Sequence, residues 1–325
     1  MKAAVYDKYG PPETVLRVAE VQRPVPKDDE VLLKIYASSV NQTEWGFVKG
    51  EPFFTRLIVG LSEPKPKYRI PGYDVAGRVE TVGKKVKQFR PGYEVFGVIK
   101  FGGLAEYGCV PEGDLVLKPA NITFEEAAAV PAAALTALQG IRNAGKVQSG
   151  QEVLINGASG GVGTFAVQIA KSMGAEVTAV CSDKNADLMR SIGADHVVDY
   201  TKEDFTRNER AYDVIATIRG YYPVSTFKRA LRPGGTFVLI GGTGAQMLEA
   251  LLLGPWVFMT GGKKLRLMGV KPNQADLVAL KDLIETGKVR SIIERCYPLS
   301  EAGKALQHFG NGHTKGKVVV TIAQD

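Results

Sequence analysis

The feature that most restricts the fold of this chain is a glycine-rich turn between an apolar run and a helix-patterned segment. The run covers residues 153–155, and Ala158, Gly160 and Gly163 occupy the three glycine positions of the G-x-G-x-x-G pattern. Apolar residues then recur at helical spacing over residues 162–173. A strand, a glycine turn and a helix in this order form a cradle for a dinucleotide pyrophosphate, because the N–H groups at the helix start face the diphosphate.

The same turn supplies the first predicted binding residues, since glycine lets the backbone approach the pyrophosphate closely. The alternative is a tight turn that needs glycine only for packing. We expect contacts to the cofactor from Ser159, Gly160, Gly161, Val162 and Gly163.

Composition and charge indicate an ordinary globular protein. The chain has 325 residues, which is enough for two domains. Of these residues, 45% are hydrophobic and 23% are charged. The net charge of +7 is not concentrated in a basic block, so nucleic-acid binding is not predicted. A further interpretation is that part of the excess attracts a phosphorylated cofactor. The widely separated Cys109, Cys181 and Cys296 predict neither a disulfide framework nor a zinc knuckle, and they favour a reducing compartment.

The segments that would direct a chain to a membrane or out of the cell are not expected here. The sequence begins with strand-like residues 2–6, which predicts no signal peptide. The most apolar late stretch, residues 251–259, contains Pro255 and is shorter than the ~18 residues that a membrane span requires. We therefore expect a cytoplasmic chain with no membrane span.

Two patterns of secondary structure follow one another along the chain. Up to about residue 120, short strands are predicted over residues 31–37, 75–82, 94–99 and 105–110. A helix then begins at Thr123 and runs past Pro131, where proline kinks or interrupts it. From residue 151, strands are predicted over residues 152–156, 176–181, 196–199, 214–217, 236–240 and 265–270. Helices alternate with these strands, and one of the helices is expected near residues 202–205. This alternation predicts a parallel sheet covered by helices on both faces.

The return to strand character over residues 318–322 indicates that the first domain is completed at the far end of the chain. We infer an α/β protein in which a nucleotide domain is inserted into a β-rich domain. The predicted boundaries are residues 1–122 and 274–325 for the β-rich domain and residues 123–273 for the inserted one.

Motifs spread over essentially the whole chain carry a family resemblance. They are residues 71–77 with Val82 and Gly83, then residues 90–95, 134–137, 193–200, 232–235 and 316–317. Together they resemble the medium-chain dehydrogenase/reductase superfamily, and within it the zinc-free quinone oxidoreductase branch related to zeta-crystallin. The resemblance implies a GroES-like β-rich catalytic domain with an inserted Rossmann doubly wound parallel-sheet domain. It also implies an active site in the cleft between the two.

The chain departs from the zinc-dependent alcohol dehydrogenases of the superfamily at the metal ligands. Those enzymes place a cysteine where this chain has Asn41, and a histidine and a glutamate where it has Tyr73 and Asp74. Catalytic zinc needs about three ligands of the Cys, His or carboxylate kind. An asparagine and a tyrosine cannot replace a thiolate and an imidazole, so we expect no metal.

The choice between NADPH and NADH depends on the end of the second strand of the nucleotide sheet. An acidic residue there favours the ribose diol of NADH, whereas a 2′-phosphate needs hydroxyl and cationic partners. The resemblance implies that Ser182, Lys184 and Tyr200 bind the 2′-phosphate. Asp183 conflicts with this assignment, and the alternative is that Ser182 and Asp183 cap a helix while Lys184 is solvated. We expect NADPH.

Other candidate residues take their roles from the resemblance. Asn41 orients the nicotinamide carboxamide or hydrogen-bonds a substrate carbonyl, and Thr136 lies near the nicotinamide; the alternative for each is a residue that satisfies the backbone. Tyr73 supplies a proton or walls the pocket. Gly241 completes the predicted cofactor contacts. Residues 49–70 form a long connection that either shapes substrate access or decorates the surface.

The resemblance implies an NADPH-dependent oxidoreductase that reduces a small electrophile, a quinone or an α,β-unsaturated carbonyl, by hydride transfer without a metal. The alternatives are an enoyl-thioester reductase and a nucleotide-binding, crystallin-like protein with negligible turnover. The predicted strand over residues 265–270 leaves an edge of the nucleotide sheet, and the resemblance implies that two copies join there as a homodimer.

Overall fold

The computed structural model describes residues 1–207, 211–220, 222–242, 244–252, 254, 256 and 262–323, without the side chains of residues 207, 244 and 245. The chain divides into two compact units. The split unit comprises residues 1–133, 272–285 and 291–325, and the inserted unit comprises residues 134–271 and 286–290. The predicted boundaries lay at 122/123 and 273/274. The first boundary lies at 133/134 in the structure, because the helix at residues 124–128 packs on strands of the split unit.

The split unit is built mainly from strands. Its strands are β1 Lys2–Val5, β2 Arg17–Glu20, β3 Glu30–Ser39, β4 Asp74–Val82, β5 Glu94–Val98, β6 Tyr107–Pro111, β7 Leu115–Leu117, β14 Ile293–Pro298 and β15 Lys317–Thr321. Its helices are α1 Pro12–Val15, α2 Gln42–Lys49, α3 Thr55–Val59, α4 Phe124–Ala128, α10 Gln274–Glu285 and α11 Ala302–Gly310.

Seven of these strands form one sheet in the order β14-β15-β3-β4-β5-β7, with β6 paired to β3. The long strand β3 is the centre of the sheet, because it pairs with β4, β6 and β15. The register places Ser39 of β3 opposite Val319 of β15. The end of β3 therefore lies beside the start of a strand from the far end of the chain.

The inserted unit alternates strands and helices. Its strands are β8 Glu152–Asn156, β9 Glu176–Cys181, β10 His196–Asp199, β11 Tyr212–Thr217, β12 Leu231–Leu239 and β13 Lys264–Leu267. Its helices are α6 Gly161–Ser172, α7 Ala186–Ser191, α8 Val224–Ala230 and α9 Gly244–Leu252. Helix α5, Pro131–Leu138, begins in the split unit and continues into this one.

In the described part of the inserted unit, six strands form one parallel sheet in the order β10-β9-β8-β11-β12-β13. This order reverses between β8 and β11, as in a doubly wound Rossmann sheet. Apolar side chains of several strands and of α8 fill its core, among them Leu154, Ile215, Phe227 and Phe237. The fold confirms the predicted β-rich domain with an inserted parallel-sheet domain.

Two local predictions can be compared with the structure. The helix that follows Thr123 is interrupted before Pro131, which is one of the two predicted outcomes, and a second helix begins at Pro131, because proline lacks the N–H that would continue the first and suits the opening turn of the second. The helix expected near residues 202–205 is a 3₁₀ turn at Phe205–Arg207. Part of the apolar stretch at 251–259 lies outside the described residues. Within the described part, no helix has the length and apolarity to cross a bilayer.

Candidate functional site

The glycine turn of the inserted unit joins the carboxyl end of β8 to α6. Gly160 is the cap of α6, with φ −79° and ψ 177°, a backbone conformation open to any residue. A Cβ at Gly163 would lie 2.3 Å from the carbonyl oxygen of Gly157, so helix–strand packing requires glycine there. A Cβ at Gly160 would lie 3.8 Å from the nearest atom. The fold itself therefore has room for a side chain at Gly160, and glycine leaves this side of the turn open.

This turn lies at the point where the strand order reverses, which is where ligands bind in open parallel sheets. Asn156 ends β8 and pairs with Thr217, which ends β11. The Asn156 Nδ2 and Thr217 Oγ1 atoms are buried and have no hydrogen-bond partner among the described residues. The first N–H groups of α6 also lack intrahelical acceptors. Donors and an open backbone thus meet at one edge, which fits a dinucleotide diphosphate.

Gly241 lies at the same edge of the sheet. Its N–H donates to the carbonyl oxygen of Thr217 at 3.2 Å, and a Cβ here would lie 2.6 Å from the carbonyl oxygen of Ile218. The predicted residues of the turn and Gly241 therefore share the carboxyl edge. Thr136 is half-buried in α5 of the same unit.

The second strand of the nucleotide sheet ends as the sequence predicted, at Cys181. Ser182 is half-buried, Lys184 is exposed, and the Tyr200 N–H donates to the Cys181 carbonyl oxygen at 3.2 Å. This hydrogen bond ties the end of β10 to the end of β9. Ser182, Lys184 and Tyr200 therefore belong to one small region.

Lys202, which was not predicted as a site residue, changes the local charge around Asp183. The Lys202 ammonium lies 2.8 Å from the Asp183 carboxylate and 3.5 Å from that of Asp199. The Lys202 charge compensates the acidic residue that conflicted with a 2′-phosphate. Because the pair is 19 residues apart and lies in a loop, no periodicity in the sequence indicated it.

The predicted residues of the split unit, Asn41 and Tyr73, are brought together by a third residue, Glu44. The Tyr73 N–H donates to Glu44 Oε1 at 2.8 Å, and Asn41 Nδ2 donates to the same oxygen at 3.2 Å. Asn41 follows β3 and caps α2, and Glu44 lies in the first turn of that helix. Tyr73 precedes β4 directly, so adjacent strand ends deliver both predicted residues.

A buried network surrounds the Asn41 carboxamide. Asp74 Oδ2 accepts from Asn41 Nδ2 at 3.0 Å and from Ser39 Oγ at 2.7 Å, while Asp74 Oδ1 accepts from the Ala132 N–H at 2.8 Å. The Lys317 ammonium donates to Asn41 Oδ1 and, at 3.2 Å, to the Val40 carbonyl oxygen. It lies 3.7 Å from Asp74 Oδ2.

We call Asn41, Glu44, Asp74 and Lys317 the polar cluster. Its ionisable members are deeply buried: Glu44 is 4% exposed, Lys317 3% and Asp74 0%. Buried charges are stable only when paired and hydrogen-bonded, and here one ammonium faces two carboxyl groups. Neither Glu44 nor Lys317 was predicted as a site residue, because a glutamate in a helix and a lysine close to another lysine resemble surface residues in sequence.

Burial and neighbouring charge shift the titration of these groups. Burial, with the nearby Asp74 carboxylate, raises the pKa of Glu44 to about 7. Glu44 Oε2 is buried and has no hydrogen-bond partner among the described residues, which favours the protonated acid. Burial also lowers the pKa of Lys317, and Asp74 and Glu44 oppose that shift. For Tyr73, burial and the two carboxyl groups raise the pKa to about 12, so the phenol keeps its proton at neutral pH.

The connection over residues 49–70 contains α3 and a 3₁₀ turn, Pro66–Tyr68. Its apolar side chains are largely exposed, with Phe53 67% and Leu57 64% accessible. We call this the loop surface: Phe53, Phe54, Leu57, Ile58 and Leu61. Clustered exposed side chains of this kind usually mark a contact with another molecule.

The metal-ligand positions of the zinc enzymes carry a different chemistry here. Asn41 donates and accepts hydrogen bonds within the polar cluster, and Tyr73 is a protonated phenol. In the described part of the chain, no group of three or more His, Cys, Asp or Glu side chains is placed to hold a metal ion.

Comparison with known proteins identifies the family. The alcohol dehydrogenase GroES-like domain family matches residues 27–120, and a family described as zinc-binding dehydrogenase matches residues 192–320. The chloroplast envelope quinone oxidoreductase homolog of Arabidopsis thaliana is 34% identical over 335 residues, covering 98% of each chain. The trans-enoyl reductase pgmF of Aspergillus terreus is 34% identical over 318 residues, covering 90% of this chain and 86% of that protein.

The solved structures agree with this assignment. The quinone oxidoreductase from Coxiella burnetii has a TM-score of 0.86 against this chain at 28% identity, and the match covers 99% of both chains. The chain therefore belongs to the zinc-free quinone oxidoreductase family of the medium-chain dehydrogenases/reductases.

Proposed function

We propose that the protein is an NADPH-dependent oxidoreductase that reduces quinones or α,β-unsaturated carbonyl compounds. The observation that carries the proposal is the open glycine turn at the point where the strand order of the parallel sheet reverses. A side chain would fit at Gly160, so glycine there leaves the backbone uncovered. Quinone oxidoreductase relatives that match nearly the full length support the class of reaction.

The inserted unit holds the adenosine end of the cofactor in this proposal. The first N–H groups of α6 bind the diphosphate, and the open backbone at Gly160 and Gly161 permits close approach. Ser182, Lys184 and Tyr200 bind the 2′-phosphate. Lys202 supports the choice of NADPH because it compensates the Asp183 carboxylate, which would otherwise repel the phosphate.

The split unit holds the reacting end. When bound, the dinucleotide supplies a hydride from its nicotinamide ring. Asn41 orients that ring through its carboxamide, and Tyr73 lines the pocket as a hydrogen-bond donor, since its raised pKa makes it a weak acid at neutral pH. Neither residue is a Lewis acid. Acceptors that already delocalise negative charge, as a quinol anion or an enolate, therefore suit the site better than simple ketones.

A second candidate is reduction of enoyl thioesters, favoured by the match to a trans-enoyl reductase. A third is a nucleotide-binding protein without turnover. A panel of acceptors separates the three: steady-state oxidation of NADPH is measured with quinones, alkenals and enoyl thioesters. Quinones and alkenals are expected to give the highest kcat/KM. Faster turnover of thioesters would favour the second candidate, and NADPH binding without oxidation by any acceptor would favour the third.

The loop surface is the proposed contact for the nonpolar part of the acceptor, because several exposed apolar side chains lie together in one short segment. Quinones with alkyl tails of increasing length test this idea. The KM is expected to fall as the tail lengthens, and Leu57→Ser is expected to remove that dependence. Val25→Ser, at an exposed aliphatic residue that belongs neither to the loop surface nor to the proposed dimer contact, is the control and leaves it intact.

A homodimer formed through the inserted unit is also proposed. Strand β13 pairs with β12 on one side, and Leu267 in it is 48% exposed. Helix α9 exposes Met247, Leu248, Leu251 and Leu252 in the same unit. An edge strand and exposed apolar side chains are features that proteins usually cover by association. Lys263, Lys264 and Arg266 oppose pairing by their charge.

A further inference from the structure

We propose that Lys317 is a positioning residue that fixes the orientation of the Asn41 carboxamide for hydride transfer. The inference rests on the proposed function, since it concerns how the nicotinamide end is held. Two partners of Asn41, Lys317 and Asp74, each tolerate only one end of an amide group.

An amide has an acceptor end and a donor end, and the polar cluster distinguishes between them. The Lys317 ammonium can only donate, and it faces Asn41 Oδ1. The Asp74 carboxylate can only accept, and it faces Asn41 Nδ2 at 3.0 Å. A rotation of the amide by half a turn would place the NH₂ group against the ammonium and the carbonyl oxygen against the carboxylate. The cluster therefore permits one orientation.

The surroundings of Lys317 fit an ammonium ion. Three oxygen atoms lie around its three N–H donors: Asn41 Oδ1, Val40 O at 3.2 Å and Asp74 Oδ2 at 3.7 Å. Asp74 is not the only partner of the Lys317 ammonium, and the Asp74 carboxylate also accepts hydrogen bonds from Ser39 Oγ and from the Ala132 N–H. Lys317 thus acts on Asn41 directly.

The arrangement also limits what Asn41 can offer to a ligand. Its two Nδ2 hydrogens point to Asp74 and Glu44, and one lone pair of Oδ1 is taken by Lys317. The second lone pair of Oδ1 remains as an acceptor, which matches the NH₂ group of a nicotinamide carboxamide. Without the lysine, the oxygen loses the partner that holds it in this place.

The test is a double-mutant cycle on the whole protein, with kcat for quinone reduction and the NADPH dissociation constant measured separately. Lys317→Met and Asn41→Ala are each expected to lower kcat by about 10- to 100-fold, the effect of a misplaced reacting group. The NADPH dissociation constant is expected to change less than about 3-fold, because the diphosphate and 2′-phosphate contacts remain. The deuterium isotope effect on kcat with C4-deuterated NADPH should rise.

The cycle distinguishes positioning from a merely structural role. If Lys317 acts through Asn41, the double variant has the same kcat as the worse single variant. Additive losses, or a wild-type kcat in Lys317→Met, would overturn the inference. Lys315→Met, an exposed lysine two residues earlier, is the matched control and keeps wild-type kcat.

Folding is controlled by a further variant. Lys317→Met leaves Asp74 without its cation, so Lys317→Met combined with Asp74→Asn removes both charges together. The combined variant is expected to fold and to show the same fall in kcat; wild-type kcat in it would refute the role of Lys317. If the wild-type protein fails to oxidise NADPH with any of the acceptors tested, the proposed function itself is refuted, before any variant is compared.

Discussion

The buried carboxyl of Glu44 makes stability depend on pH in an unusual direction. Its pKa is raised by burial, and further by Asp74, from 4.5 to about 7. The folded protein therefore holds this proton more tightly than the unfolded chain does. Unfolding releases the proton at pH values between these two pKa values, so the free energy of unfolding falls as the pH rises through that interval. Below it the contribution is fully present, and above it the contribution is lost.

The size of the effect follows from the shift. A difference of roughly 2.5 pKa units at 1.36 kcal/mol each corresponds to about 3 kcal/mol of stability. Glu44→Gln keeps an oxygen that can accept from the Tyr73 N–H, but it cannot titrate. The variant is expected to lack this pH-dependent loss. Its buried amide NH₂ adds a cost that is the same at every pH, so the slopes are compared rather than the absolute values.

Urea unfolding between about pH 5 and 8 measures the difference. The measurement uses a Trp256→Phe background, in which Trp45, the neighbour of Glu44 in α2, is the remaining tryptophan and its fluorescence reports on the split unit. Glu13→Gln, an exposed glutamate of α1, is the control and should parallel the wild type. If Glu44→Gln also parallels the wild type, Glu44 does not hold a proton at neutral pH, and the reasoning is wrong.

Four further outcomes are expected. Gly160→Ala should fold normally, because its Cβ would lie 3.8 Å from the nearest atom, and it should bind NADPH about 10-fold more weakly. Gly163→Ala should lower the melting temperature, because its Cβ would lie 2.3 Å from a backbone carbonyl oxygen. Unchanged NADPH binding by Gly160→Ala would contradict a diphosphate site at the turn. Lys184→Ala should weaken NADPH more than NADH, since a charge-assisted contact contributes roughly 1.5–3 kcal/mol; equal losses would reject the 2′-phosphate assignment. Elemental analysis of the purified protein should show far less than one zinc per chain, and stoichiometric zinc essential for activity would refute the metal-free prediction. In light scattering, the wild type should have twice the mass of one chain, and Leu267→Pro should release monomers by removing a ladder donor; a monomeric wild type would exclude the dimer.

The sequence was most informative where structure is local. Strands β8, β9 and β10 have the predicted bounds. For β8 and β9 the reason is burial on both faces, because such strands are nearly continuous apolar runs that end at a turn. The glycine turn was predicted for the same reason, since a strand, a turn and a helix follow each other directly. Pro131 was correctly expected to interrupt a helix, although not to begin a new one.

The sequence was least informative where contacts join distant residues. Lys317 and Asn41 are 276 positions apart, and no pattern in either neighbourhood refers to the other. Glu44 has the position of an ordinary acidic residue in the first turn of a helix, where it would favour the helix dipole. Only the three-dimensional arrangement of β3, β4 and β15 shows that Glu44 is buried beside two charged groups, Asp74 and Lys317.

The place of β15 in the sheet has a consequence for the synthesis of the protein. The strands described in the inserted unit all lie between residues 152 and 267, so they are synthesised before β15 leaves the ribosome. The split unit, in contrast, contains β3 from early in the chain and must wait for residues 317–321. Until then, residues 37–39 of β3 lack their β15 partner, and the Asp74 carboxylate lacks its lysine. A nascent chain halted before residue 317 is therefore expected to carry a folded inserted unit beside an unfinished sheet, the state in which strand edges invite aggregation.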